Sequence, residues 1–119
     1  MTLDEYFAGH EQSRMLFDAL IKVINKLGTA EIAVTKSQVA FRRHKAFAWA
    51  WIPGKYLKGR LVAPLVLTVS FPYPDASPRW KEIVEPYPGR FTHHLELYSA
   101  SEVDEEVVGW LQAAWDGAA

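Results

Sequence analysis

The chain has 119 residues, half of them hydrophobic, with no cysteine and a formal net charge of −1. This length allows one domain with its own core, and the composition excludes a disordered chain, a disulfide scaffold and a thiolate zinc site. No apolar run approaches the roughly 18 residues of a membrane span, and the acidic start lacks the features of a signal peptide, so we expect no membrane partner and a cytoplasmic location.

Charge is unevenly distributed along the chain. Residues 36–94 hold ten Lys and Arg against three Asp and Glu, whereas residues 95–119 hold six acidic residues and no basic one. Two interpretations stay open. The basic middle and the acidic ends neutralise one another across the fold, or the middle forms a positive patch for a phosphate or carboxylate group.

The first elements are predicted to be helical. Thr2 and Glu5 have the spacing of a capping box at the start of a short helix. From residue 10 to residue 27 apolar side chains recur at helical spacing, and Gly28 stands where a helix C-cap belongs. Residues 30–35 then have the pattern of a short strand.

Residues 34–51 are predicted to form a β-hairpin with basic residues at its turn. A three-residue loop, residues 43–45, places Phe41 opposite Phe47 and keeps the large apolar side chains on one face. A four-residue loop would place Phe41 opposite Ala48 and mix the faces, so the shorter loop is favoured. The predicted core face carries Val39, Phe41, Phe47, Trp49 and Trp51. The opposite face carries Gln38, Ala40, Arg42, Ala46, Ala48 and Ala50.

The second half of the chain adds two strands and two helical segments. Residues 64–71 and 91–98 alternate between apolar and polar side chains, which predicts strands with one buried face. Residues 77–86 begin with a serine and a proline at helix-start positions and are predicted to form one or two helical turns. Ser101 and Asp104 have capping-box spacing at the start of a C-terminal helix. Its apolar stripe consists of Val103, Val107, Trp110, Leu111 and Ala114.

This order of elements predicts the fold class. We expect a single α+β domain over residues 1–119, with an antiparallel sheet of about four to five strands. The N- and C-terminal helices should pack on one face of that sheet.

Five short motifs follow one another along nearly the whole chain. They are YFAG at 6–9, Thr-Lys-Ser at 35–37, Ala-Phe at 40–41, Ser-Pro-Arg-Trp at 77–80, and His94 followed by an acidic helix that ends in Ala114 and Trp115. Their joint order resembles a widespread bacterial family, domain of unknown function 5655. The family's members occur alone or as a C-terminal module, and the resemblance therefore implies an accessory or binding role.

The histidines raise the question of a metal site. His94 and Glu96 point to the same side of one predicted strand, and a third ligand such as His10 or His44 would complete a metal centre. The alternative is an ordinary cross-strand pair on a solvated face. His93 should face the core, where a histidine usually bonds to a buried polar group. No phosphate loop or nucleophile motif is present in the sequence, so we expect no cofactor and favour a non-enzymatic role.

The basic residues support the main functional hypothesis. Small and polar side chains would form the floor of a sheet face, and arginines at its rim could hold a carboxylate or phosphate. The candidate ligand site consists of Lys36, Gln38, Arg42, Arg60, Arg79, His94 and Glu96. The alternative for each basic residue is an ordinary surface charge, and a helix over the alanine face would remove the site.

We therefore expect a small binding module for an anionic ligand or a protein partner. One alternative is a nucleic-acid-associated module that uses the basic loops 42–45 and 55–60. A second is a small metal-dependent hydrolase centred on His94 and Glu96. An exposed tryptophan would also suit a homodimer surface.

Overall fold

A six-stranded antiparallel sheet organises the fold in a computed structural model that describes residues 1–57 and 61–119. Within those residues the helices are α1 (Leu3–Phe7), α2 (Glu11–Leu27) and α3 (Glu105–Gly117). The strands are β1 (Glu31–Val34), β2 (Val39–Arg42), β3 (Ala46–Trp51), β4 (Leu65–Phe71), β5 (Glu82–Tyr87) and β6 (Arg90–Leu97). The strand order is β1-β2-β3-β4-β6-β5. The predicted α+β class is confirmed, with one strand more than the upper expectation.

Local signals explain where the helices begin. Thr2 and Glu5 form the predicted capping box before α1. Asp104 is the N-cap of α3, and its carboxylate accepts from the backbone N–H of Val107. The capping box expected from Ser101 and Asp104 is wrong. It is formed instead by Ser99 with Glu102, at a 3-10 turn just before α3.

The helices cover only one face of the sheet. One cluster of buried side chains joins α2 and α3 to the central strands; it includes Leu16, Leu20 and Ile24 of α2, Val107 and Leu111 of α3, and Leu65, Leu67 and Val69 of β4. Each such side chain contributes about 1.5–3 kcal/mol when it is fully buried. Stability is therefore concentrated on this face, and we call the other one the open face.

The β2–β3 hairpin differs from the prediction in its register. The three-residue loop is present, because Arg42 pairs with Ala46, but Phe41 pairs with Ala48 rather than with Phe47. A β-bulge inserts one extra residue into β3 at this point, which shifts every later pair by one residue. Beyond the bulge the strands therefore have the register that a four-residue loop would give, with Phe41 opposite Ala48.

This shift moves the two tryptophans of β3 out of the core. Trp49 and Trp51 lie on the open face, whereas Ala48 and Ala50 are buried on the helix side. Phe47 packs edge-to-face against Trp115 of α3, with 5.5 Å between ring centroids. The prediction that Trp49 and Trp51 belong to the core was wrong because it assumed regular pairing.

The segment predicted to be a short helix is the edge strand β5. Only a turn at Pro78 and Arg79 precedes it, and residues 82–87 pair with β6. One or two helical turns are marginal on their own, whereas the sheet offers hydrogen-bond partners to β-branched Ile83 and Val84. Pro86 is tolerated because an edge strand can lose one N–H donor.

Gly28 ends α2 directly against Trp115. A Cβ at Gly28 would lie 2.5 Å from Cζ2 of Trp115, and that ring is buried and cannot easily move.

We expect Gly28→Ala to lower the free energy of unfolding by about 1–3 kcal/mol, measured by urea denaturation. Gly109→Ala is the matched control, because a Cβ there meets nothing within 4 Å. It should be neutral or stabilise α3 by up to about 1 kcal/mol. Equal losses in both variants would contradict the contact.

Candidate ligand site on the open face of the sheet

Rows of paired side chains cross the open face, and two of them reach the site. Residues paired from strand to strand form the longer row, which is Ala33, Ala40, Trp49, Thr68, His94 and Glu82. The shorter row is Trp51, Val66 and Glu96. In these two rows the side chains are small over β1 and β2 and larger and more polar over β3 to β6. The chemistry of this face is therefore concentrated at one end of the sheet.

A groove of about 290 Å³ lies at that end. Its apolar lining consists of Trp51, Pro53, Leu57, Val62 and Val66. Its polar lining consists of Lys81, Glu82, His94 and Glu96. This volume is at the lower end of the range for small-molecule sites.

A hydrogen-bond chain fixes the imidazole of His94. The indole Nε1–H of Trp51 donates to Oγ1 of Thr68 at 3.1 Å, and the same Oγ1 lies 2.8 Å from Nδ1 of His94. An indole N–H can only donate, so Oγ1 of Thr68 accepts from Trp51. Thr68 is almost fully buried, and among the described residues Nδ1 of His94 is the only acceptor within reach of its hydroxyl hydrogen, so the hydroxyl donates to Nδ1. The geometry thus assigns the ring hydrogen of His94 to Nε2.

His94 is uncharged at neutral pH and presents a donor to the groove. Burial lowers the pKa of His94 below its usual value, and the nearby Glu82 carboxylate opposes this shift only in part. Nε2 of His94 has no hydrogen-bond partner among the described residues. Since every buried side-chain nitrogen and oxygen of those residues has a partner, Nε2 is not buried. Because His94 lines the groove, its Nε2–H opens into that space.

Glu96 has a cationic partner in the groove. Nζ of Lys81 lies 3.2 Å from Oε2 of Glu96. Within residues 1–57 and 61–119 no group of three or more His, Asp or Glu side chains is placed to hold a metal ion. His10 lies at the start of α2, and the backbone of His44 bonds to Ala118 at the end of α3. Neither is brought to His94 and Glu96.

Comparison with known proteins identifies the family. A family model described as "Domain of unknown function (DUF5655)" matches residues 3–118. The chain belongs to this family. The resemblance predicted from its motifs is confirmed. No curated protein and no solved structure matches the chain. In the described part of this DUF5655 domain, no helix has the length and apolar character needed to cross a membrane.

The seven predicted site residues do not form one cluster. The structure brings together only His94 and Glu96 at the groove. Lys36 is exposed in the β1–β2 turn, Gln38 precedes β2, and Arg42 is exposed at the end of β2. Arg60 lies outside the described residues, and Arg79 lies on the helix side.

Sequence reasoning did not place Trp51, Lys81 or Glu82 at a site. The alternating Ala-Trp pattern places Trp51 on the core face when the strand is regular. Nothing in that pattern indicates the bulge in β3 that turns Trp51 to the other face. Lys81 and Glu82 were assigned to a helical turn. An expectation that residues 82–87 form a strand beside β6 would have placed Glu82 next to His94.

Arg79 of the DUF5655 domain binds the start of α3. Its guanidinium donates to the carboxylates of Asp104 (3.0 Å) and Glu106 (2.9 Å) and to the Glu102 carbonyl (3.0 Å). It also lies 5.5 Å from the ring centre of Trp110. The acidic first turn of α3 therefore finds its counter-charge in the segment between β4 and β5.

Two residues of the basic loops also have structural partners. Arg43 donates to the Trp115 carbonyl at 3.1 Å and lies 4.5 Å from the centre of that indole ring. It thereby caps α3, which has no basic residue in its last turn. The ammonium of Lys55 contacts both the carbonyl and the ring of Tyr6. The use of loops 42–45 and 55–60 for nucleic acid stays a prediction, and residues 58–60 lie outside the described part.

His93 points away from the groove and is fully buried. Its Nε2 accepts from the backbone N–H of Asp75 at 2.9 Å, and Nδ1 lies 3.3 Å from the carbonyl of Val69. The ring hydrogen of His93 is therefore on Nδ1, opposite to the assignment for His94. The prediction of a satisfied core histidine is confirmed.

The Arg79 contacts predict a structural effect. Arg79→Met should lower the free energy of unfolding by about 1–2 kcal/mol, because two carboxylates and a carbonyl lose their donor. Arg42→Met is the control, since Arg42 is exposed, and should change stability by less than about 0.5 kcal/mol. Urea denaturation measures both. If the two variants were equally stable, Arg79 would have no structural role.

The His93 contacts predict a pH dependence. Burial lowers the pKa of His93, so the unfolded chain binds a proton more readily than the folded one. The free energy of unfolding should fall as the pH drops below about 6.5, by at most about 1.4 kcal/mol per pH unit, and His94 should add to the slope. A His93→Leu variant should be less stable but show a shallower slope. Stability that is flat from about pH 7 to 5 would contradict the prediction.

Proposed function

We propose that this DUF5655 domain is a small binding module and that its ligand occupies the groove on the open face. The observation that carries the proposal is the Nε2–H of uncharged His94, held by the Trp51–Thr68–His94 chain beside an apolar wall. Small-molecule sites combine a mostly apolar lining with a few fixed polar groups, and this groove has both.

Other cavities support the choice by contrast. Spaces of about 320 and 340 Å³ lie beside the start of α2. Several polar side chains there are bound within the fold, since Arg14 pairs with Asp4 and Asp18 and Ser13 donates to the Pro64 carbonyl. Those groups serve the fold, whereas Nε2 of His94 has no partner among the described residues.

Binding is favoured over catalysis by the state of Thr68. Its hydroxyl lies beside an imidazole, as a nucleophile would, but Thr68 is only 6% exposed and its hydroxyl already accepts from Trp51. A nucleophile must reach its substrate and must gain electron density from its partners. The hydroxyl is better explained as the group that orients His94.

The ligand's charge is a separate part of the proposal. The basic residues led to the hypothesis of an anionic ligand, and a carboxylate would accept from His94 and from Lys81. Glu82 and Glu96 also line the groove and would disfavour a second negative charge. A screen therefore needs uncharged compounds beside carboxylates and phosphates.

Two tryptophans of β3 supply a matched pair of variants. Trp51 lines the groove, whereas Trp49 lies on the same face outside that lining. A compound found by thermal shift should bind wild-type protein and Trp49→Ala alike, and should bind Trp51→Ala at least about tenfold more weakly because a large apolar contact is lost. Isothermal titration calorimetry measures the three dissociation constants. Unchanged binding to Trp51→Ala, or a loss confined to Trp49→Ala, would refute the groove as the site.

A cytoplasmic location and a homodimer stay predictions that accompany this proposal. Trp49 is half-buried on the open face and would be the centre of such a dimer surface. Light scattering of wild-type protein and of Trp49→Ala gives the oligomeric state directly.

A further inference from the structure

The hydrogen-bond chain behind His94 makes its groove-facing nitrogen a donor. Trp51 donates to Thr68, and Thr68 donates to Nδ1, so the only position left for the hydrogen of the uncharged ring is Nε2. A ring with a free choice of tautomer could serve either a donor or an acceptor of the ligand. Here the choice is fixed by Thr68 and Trp51, and Thr68 does not line the groove.

The other groups in the groove make the Nε2–H donor of His94 more important for the choice of ligand. The ammonium of Lys81 shares its hydrogens with the Glu96 carboxylate. Glu82 and Glu96 offer only acceptors, and the apolar lining offers no hydrogen bonds. A ligand that enters without an acceptor would cover Nε2–H and leave a buried donor unpaired, which costs more than a hydrogen bond gains. Selection by such a group works mainly by rejecting ligands that cannot satisfy it.

We infer that the groove selects apolar ligands that present a hydrogen-bond acceptor, such as a ring nitrogen or a carbonyl oxygen, to Nε2–H of His94. This inference rests on the proposed function, because it names the ligand class of the same groove. His94 is the specificity-determining residue, and Thr68 is a positioning residue that acts through it. Trp51 both donates to Thr68 and lines the groove.

Quinoline and indole are suitable probes. Both are flat, bicyclic and uncharged near neutral pH, but the quinoline nitrogen accepts a hydrogen bond whereas the indole N–H donates one. The domain has five tryptophans, and the indole N–H signal of Trp51 in a ¹⁵N–¹H spectrum is identified by its loss in Trp51→Phe. Titration of each probe against that signal gives its dissociation constant.

Quinoline should bind about threefold to tenfold more tightly than indole, the ratio that one neutral hydrogen bond supplies. In His94→Phe, which keeps a ring but has no donor, the two probes should bind equally. Equal affinities for the wild-type protein would overturn the inference while leaving the groove as a binding site. No response of Trp51 to either probe up to its solubility limit would overturn the inference, and the thermal-shift screen with the Trp51→Ala variant then decides the proposed function separately.

A second measurement needs no variant and no probe. The ring ¹⁵N shifts distinguish the two uncharged tautomers of a histidine. His94 should have its hydrogen on Nε2, and the neighbouring His93, bonded to Asp75 and Val69, should have it on Nδ1. An Nδ1–H tautomer at His94 would overturn the inference even if His94→Phe failed to fold.

Discussion

Phe47 turns towards α3 at the β-bulge and packs edge-to-face on Trp115, and this contact decides what each face of the neighbouring sheet contains. With Phe47 on the helix side as an extra residue, the next core positions fall to Ala48 and Ala50. Their small side chains leave room for the helices, while Trp51 is carried to the other face. A regular hairpin would bury Trp51 and remove the aromatic lining of the groove.

Trp115 contacts three different parts of the fold. Phe47 meets its edge, Arg43 lies over its ring, and Gly28 at the end of α2 approaches it too closely to carry a side chain. The C-terminal helix is thereby held to the hairpin loop and to α2 at one residue. The register of β3 and the position of α3 depend on each other through this indole.

Helix α3 binds two of the basic residues from the middle of the chain. Arg79 pairs with acidic residues at the start of α3, and Arg43 bonds to a carbonyl at its end. Negative groups near a helix N-terminus and positive groups near its C-terminus both interact favourably with the helix dipole. Arg79 is a counter-charge to the first turn of α3, and Arg43 places a positive charge on the Trp115 carbonyl in the last turn.

Signals confined to a few neighbouring residues predicted the fold well. The Thr2 capping box and the alternation in residues 64–71 and 91–98 depend on local geometry, and the structure has the corresponding helix and strands. Residues 77–86 carried equally local helix signals, but hydrogen bonds to β6 outweighed them. The site was less predictable because it depends on pairing between strands. The bulge at Phe47 is set by its contact with Trp115, 68 positions further along the chain, which no local pattern contains.

The two adjacent histidines show how one strand serves the core and the groove together. Side chains alternate along β6, so His93 enters the core and His94 reaches the open face. Each imidazole has its tautomer fixed by a neighbour, His93 by the N–H of Asp75 and His94 by the hydroxyl of Thr68. Thr68 and His94 are direct partners on β4 and β6, strands whose other sides carry the buried core. The donor that faces the groove is therefore held by interior strands of the sheet, and a ligand must match its direction because the fold cannot readily turn it.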